Sequence, residues 1–263
     1  MHKVAIVTGG TSGIGRETAL ALKAAGYTVY ELSRRAEGVE GLHHITADIT
    51  QEDTVTAAVK EIVEAEGRID VLVNNAGFGI SGAVEFTETE DAKRLFDTNF
   101  FGMVRMNRAV IPVMRRQGGG RIVNLSSVAA PIPIPFQTYY SAGKAAVNAY
   151  TMALANELRP FGITVCAVQP GDIRTGFTAA REKTARGDDV YGGRIARSVG
   201  RMEHDEQTGM EPAEAGRFIA AVAQKKSRRP IYTIGLSYKL FVLIMRVLPY
   251  RLSNWMVGLL YAK

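Results

Sequence analysis

One cysteine in 263 residues excludes an internal disulfide. Cys166 sits inside the apolar run ITVCAV and reads as a packing residue. This usage fits a reducing cytoplasm. The N-terminal MHKVAIVTGG enters an apolar run at once and then meets glycines, so no secretory leader is expected. No apolar run approaches the roughly 18–20 residues of a spanning helix; LFVLIM (240–245) is ended by Arg246. Acidic residues are absent after Glu214. That stretch carries nine cations (Arg217, Lys225, Lys226, Arg228, Arg229, Lys239, Arg246, Arg251 and Lys263) in a chain whose net charge is only +6, so residues 1–214 are net acidic. The basic character thus belongs to the C-terminal fifth. Aromatic stacking platforms and nucleic-acid motifs are missing as well, so no nucleic-acid partner is expected. Internal repeats are absent too, and no metal site is assigned.

What is present reads as one α/β domain. Apolar residues make up 46% and charged residues 22%, ordinary for a chain that buries a sizeable core. Short apolar runs without polar alternation fall at 3–9, 27–33, 43–48, 69–77, 120–127, 162–171 and 229–235. Helical patterns at 15–26, 51–67, 88–116 and 138–158 separate them. In 51–67 the stripe is Val55, Ala58, Val59, Ile62 and Val63. This alternation predicts right-handed βαβ units: a Rossmann-like, doubly wound parallel sheet with helices on both faces. Residues 1–236 form one domain in this reading. Residues 172–210, charged and without clear period, form a substrate loop, and 237–263 an apolar helical extension.

TGGTSGIG (8–15) follows the first strand and opens a helix. Gly9, Gly13 and Gly15 allow a sharp turn and close approach of the backbone to a pyrophosphate, whose charge the helix N-terminus favours. Thr11 and Ser12 add donors, and Ile14 lies within the turn. At the exit of the second strand stand Ser33, Arg34 and Arg35, where an acid would bind the ribose of NAD. Two guanidinium groups suit the 2′-phosphate of NADP(H), with NAD(H) the less favoured alternative. Glu31, the one competing acid, lies inside the strand.

Further along, PFQTYYSAGKAAVNAY (135–150) places two tyrosines ahead of a lysine. On a helix, Lys144 lies about 40° from Tyr140 and about 140° from Tyr139. A tyrosine working with this lysine is therefore Tyr140, and Tyr139 lines the pocket or packs. A phenol has a pKa near 10 in water. A cation one helical turn away, together with the nicotinamide charge in the oxidised complex, is expected to lower it toward the working range of an acid/base.

Four motifs in order, TGGTSGIG, NNAG (74–77), a serine followed by Y-x-x-x-K, and PG (170–171), resemble those of the short-chain dehydrogenase/reductase family over roughly residues 3–235. The resemblance implies hydride transfer between a nicotinamide and a carbonyl or alcohol, with a catalytic tetrad of Asn99, Ser127, Tyr140 and Lys144. Ser127 is preferred to Ser126 because the family places its serine about thirteen residues before the tyrosine. Asn99 is expected to anchor a water linking Lys144 to solvent, or else to kink or cap its helix. By the same resemblance, Asn74 is structural and Asn75, Ala76 and Gly77 complete the motif beside the cofactor. Asp48 contacts adenine, while Pro170, Gly171, Ile173 and Thr175 fall by the nicotinamide and phosphate. The basic residue frequent before the second glycine is replaced by Ser12, so NADP preference rests on Arg34, alone or with Arg35.

Val128, Ile132, Ile134, Phe136 and Tyr139 are expected to line the substrate pocket and favour an apolar alcohol or ketone, steroid-, retinoid- or other lipid-like by family analogy. A non-catalytic dinucleotide sensor is the alternative from another class, and it predicts losses in the tetrad. An NAD-dependent alcohol dehydrogenase is another. The tail reads as two helices parted by Pro249, with stripes of Leu240, Leu243, Ile244, Val247 and Leu248, and of Leu252, Trp255, Met256, Leu259 and Leu260. These cover the pocket, join subunits of a homodimer or homotetramer, or lie on a membrane, so the protein is expected in the cytoplasm, either free or peripheral at a membrane.

Overall fold

The computed structural model describes residues 2–262. In chain order the elements are β1 (Lys3–Thr8), α1 (Gly13–Ala24), β2 (Tyr27–Ser33), β3 (His43–Thr46), α2 (Glu52–Glu66), β4 (Val71–Asn74) and a short β5 (Ile80–Ser81). Then α3 (Thr89–Phe96) runs through a π-helical segment, Asp97–Gly102, into α4 (Met103–Arg116). There follow β6 (Gly120–Leu125), α5 (Thr138–Glu157), β7 (Ile163–Gln169), α6 (Phe177–Ala180), β8 (Glu182–Lys183), α7 (Arg194–Gln207), α8 (Pro212–Ala223), β9 (Ile231–Thr233), α9 (Leu236–Val247) and α10 (Tyr250–Tyr261).

Seven strands form one parallel sheet in the order β3-β2-β1-β4-β6-β7-β9. The chain winds outward from β1 to β3, returns to β4, and winds outward on the other side. That reversal opens a crevice beyond the carboxyl ends of β1 and β4, where α/β sheets take their ligands. Both faces are covered, which explains the missing polar alternation. On β1, Val4 and Ile6 enter the core shared with α2, α4 and α5, while Ala5 and Val7 enter the core shared with α1 and α8. Cys166 packs in this second core, where burial pushes its thiol up to about 11.

Two expectations change. The helix over 88–116 is continuous but not uniform: its π-helical segment carries Asn99. Such segments widen the helix by one residue per turn and recur at functional sites. The segment 172–210 is not an aperiodic loop. It holds α6, β8 paired with β5, and the 14-residue α7. Only Ile195, Ser198 and Met202 of α7 are buried, a stripe too narrow to stand out among its charges.

Candidate active site

A cavity of about 740 Å³ opens at the carboxyl ends of the strands, over the β1/β4 reversal. The residues singled out in the sequence meet there strand by strand. Gly9, Thr11, Ser12, Gly13 and Ile14 line it after β1, and Ser33, Arg34 and Arg35 after β2. Asp48 follows β3; Asn75, Ala76 and Gly77 follow β4; Ser127 follows β6. Pro170, Gly171, Ile173 and Thr175 come after β7, while α5 contributes Tyr140 and Lys144.

Two predicted residues are set back from the cavity. Gly15 does not line it. A Cβ there would meet the Asn75 amide nitrogen and the Gly9 carbonyl oxygen at 2.3 Å, so Gly15 lets α1 seat against the two loops rather than touching a ligand. Asn99 also lies outside the lining. Its Nδ2 donates to the Phe78 carbonyl at 2.8 Å and its Oδ1 accepts from the Phe78 amide at 3.0 Å. The side-chain amide is thus committed to shaping the loop after β4. Gly77 is fitted to it: a Cβ there would lie 2.9 Å from Asn99 Oδ1.

The loops of the cradle are tied together by polar side chains. Thr8 Oγ1 accepts from the Asn75 and Ala76 amides at 3.0 and 3.1 Å, and Asn75 Nδ2 donates to the Thr8 carbonyl at 3.0 Å. Asn74 is buried and donates to Asn107 and Asn124 at 2.8 and 2.9 Å, bracing β4 against α4 and β6. Asp48 Oδ1 accepts from the Thr50 amide and hydroxyl, which fixes the turn into α2.

These residues fit a dinucleotide. The first turn of α1 has no acidic residue and Ser12 makes no side-chain cap, so the helix N-terminus keeps its donors for an anion. Gly9 and Gly13 have φ of 65° and 52°, a region that favours glycine. A Cβ on Gly9 would also press on Ala76 Cα at 3.0 Å. At the ribose end Glu31 is fully buried, with His44 Nδ1 at 2.5 Å from its Oε1. Arg34 and Arg35 are exposed at the cavity edge, with no ion-pair partner among the described residues.

At the other end, the two serines of SS part company. Ser126 is buried and donates to the Lys144 carbonyl at 3.1 Å. Ser127 faces the cavity; its Oγ accepts from the Ala129 amide at 3.1 Å, and its hydroxyl draws the neighbouring Tyr140 phenol down. Lys144 Nζ donates to the Leu125 carbonyl at 2.8 Å and sits 5.6 Å from the centre of the Tyr140 ring. Burial raises the Tyr140 phenol to about 12, with Ser127 pulling it partly back. Burial also lowers Lys144 to about 8. The expectation that the lysine would bring the phenol down is not met in the protein alone: desolvation outweighs every nearby charge.

Of the apolar residues expected around the substrate, Val128 and Ile134 line the cavity. Ile132 packs instead with Val242, Met245 and Val257 of the tail. The Phe136 ring meets Tyr191 edge-on, and Tyr139 lies off the lining. Sequence reasoning missed the opposite wall. There Arg181, with a fully buried side chain, is ion-paired to Glu206, whose Oε2 accepts from Thr178 Oγ1 at 2.6 Å. Phe177 lies between Arg181 and Tyr140, its ring 5.8 Å from the tyrosine ring. Asp172 joins this wall, and burial raises its carboxyl. The signal was faint: Arg181 and Glu206 are 25 residues apart, in a segment dense with similar charges.

The short chain dehydrogenase family model matches residues 3–186. A 3-ketodihydrosphingosine reductase of Bacteroides thetaiotaomicron is 38% identical over 99% of this chain and 98% of its own length. The crystal structure of a short-chain dehydrogenase from Streptomyces avermitilis superposes with a TM-score of 0.84 at 32% identity, covering 97% of this chain and 96% of that one. Two further structures carry nicotinamide cofactors, both at 27% identity. The 3-ketoacyl-(acyl-carrier-protein) reductase of Brucella melitensis is complexed with NADH (TM-score 0.74, 88% of this chain and 96% of that one), and ElxO has NADP bound (TM-score 0.76, 91% and 100%). The reversed parallel sheet, the glycine cradle at its switch point and the tyrosine–lysine helix beside it therefore have one explanation: this chain belongs to the short-chain dehydrogenase/reductase family and is an oxidoreductase.

Proposed function

We propose that the protein reduces, with NADPH, the ketone of a long-chain lipid that carries a polar head next to the carbonyl. The observation that carries this reading is that Tyr140, Ser127 and Lys144 share one cavity with the glycine cradle and with the carboxylates Asp172 and Glu206. The 3-ketodihydrosphingosine named for the Bacteroides relative is such a compound, a long-chain ketone with an amine and a hydroxyl beside the carbonyl. Arg34 and Arg35, without an ion-pair partner among the described residues, and Glu31 buried against His44 support a 2′-phosphate and hence NADPH over NADH.

A bound reduced nicotinamide supplies the hydride. Ser127 donates a hydrogen bond to the substrate oxygen and holds it beside the phenol as negative charge builds on it. Tyr140 gives that oxygen its proton. A phenol held at about 12 keeps its proton at neutral pH, ready to donate it to a forming alkoxide. Lys144, one helical turn along, stabilises the phenolate left behind and is placed to bind the nicotinamide ribose. Asn99 positions Phe78 and Gly77 and touches no reacting atom in this scheme.

The polar wall yields the test. Asp172→Asn keeps an acceptor for the Tyr238 hydroxyl but removes the charge facing a substrate ammonium. It should lower kcat/KM for 3-ketodihydrosphingosine by about tenfold to a hundredfold, while a ketone of equal length without the amine is nearly unaffected. Equal losses on both ketones would remove the amine from the proposal.

Lys144 gives a pH dependence. It is a base whose pKa falls from 10.5 to about 8 on burial, so raising the pH through about 8 strips the charge needed beside the ribose and the phenol. The kcat/KM for NADPH, which reports the free protein's groups, should fall about tenfold per pH unit above that point. A flat profile between pH 7 and 9.5 would contradict the assignment.

A further inference from the structure

The tail helices are apolar on two sides, and only one side is covered. Val242, Met245 and Val257 are buried against Ile132, with Val128, Phe241, Leu248 and Tyr261 packed around them. Tyr261 reaches the cavity lining. The Tyr238 hydroxyl donates to the Asp172 carboxylate, and its ring lies where a Cβ on Gly171 would have to go. This covered side closes one flank of the active-site cavity. The stripes read from the sequence lie mostly on the exposed side, apart from Leu248. Leu236 (83% exposed), Leu240 (59%), Leu243 (59%), Ile244 and Val247 (77%) fall within about 100° of one face of α9. Leu252, Trp255 (59%) and Leu260 form the exposed stripe of α10.

We infer that this exposed two-helix face docks on the surface of an anionic lipid bilayer. Two exposed apolar stripes of this length on successive helices mark an interaction site. Lys239, Arg246 and Arg251 are all exposed at its border, and neither helix has an acid. A second copy of the chain meets an electrostatic obstacle, because a two-fold contact between these helices would gather cations with no acid on either helix. Trp255 and border cations over an apolar stripe are the composition of a helix lying in a bilayer interface. No helix among the described residues is long and apolar enough to cross a membrane, so the contact is peripheral. Docked this way, the covered side of the tail brings the cavity beside the lipid. The surface stands on its own observations; only its use for substrate delivery rests on the lipid-ketone reading.

The test is flotation of the full-length protein with vesicles of phosphatidylcholine alone and of phosphatidylcholine with phosphatidylglycerol, at low and high salt, alongside its mass in solution. The wild type should float with the anionic vesicles, weakly with the neutral ones, and less at high salt. Each interfacial cation contributes about fivefold to partitioning, so Arg246→Glu with Arg251→Glu should cut binding at least about 25-fold. Leu243→Glu with Val247→Glu should abolish it. Thermal melts and turnover of a water-soluble ketone should match wild type in both variants, and the melts serve as the fold control if no ketone is turned over. No flotation with anionic vesicles at low salt would overturn the inference. So would flotation insensitive to both variants, or a dimer that Leu243→Glu with Val247→Glu dissociates while vesicles bind nothing.

Discussion

Tyr140→Phe should lower turnover by on the order of 10²–10⁴-fold while leaving NADPH affinity close to wild type. The substitution removes one oxygen from a ring that keeps its place beside Phe177 and Lys144. What it removes is the proton for the substrate oxygen, and no other donor in the cavity is so placed: Ser127 needs its own proton to hold that oxygen. Tyr139→Phe, on a side chain off the cavity lining, should retain most activity. Steady-state kinetics of both variants with NADPH binding followed by fluorescence would check this. Equal losses from the two would remove the distinction drawn from the face of α5.

The second large effect is on cofactor choice. Arg34 paired with a 2′-phosphate contributes about 1.5–3 kcal/mol, which corresponds to roughly tenfold to a hundredfold or more in affinity for NADPH over NADH. Ser33→Asp with Arg34→Leu removes that pairing and supplies the acid that a ribose diol requires. Glu31 cannot interfere in either form, because it is buried against His44. The ratio of kcat/KM for NADPH to that for NADH should therefore fall below one in the double variant. A wild type that uses both cofactors equally would place the 2′-phosphate away from Arg34.

Much of this site could be read from the chain before its structure. The glycine turn, the strand exits and the Y-x-x-x-K spacing are local, and each fixes a residue on one face of one element. The βα alternation then brings the ends of β1, β2, β3, β4, β6 and β7 to one edge without further information. What depends on packing between distant elements was less legible. The 20-residue α5 shows Tyr140 and Lys144 on one face, but not that desolvation would hold the phenol at about 12. Asn99 was visible as a residue, whereas its bonds to Phe78 depend on how the π-helical segment meets the loop after β4. Gly15 belongs to the same motif as Gly13, yet one faces the cavity and the other faces Asn75. The tail is the sharpest case. Its helices and their break at Pro249 were correctly placed, but the widest apolar stripe of α9 faces outward, while the narrower pair Val242 and Met245 packs. A helix apolar on both sides does not announce which side the fold will take.

In the proposed reaction this cavity joins NADPH to a lipid ketone and delivers a proton from Tyr140. The test supplies NADPH carrying deuterium at both nicotinamide C4 positions together with 3-ketodihydrosphingosine and measures the mass of the product. One alcohol should form per NADPH consumed, with one deuterium on the former carbonyl carbon, and Tyr140→Phe should form it at least about a hundredfold more slowly. NADPH bound tightly but not consumed with this ketone or any of a panel of lipophilic ketones would contradict that reaction.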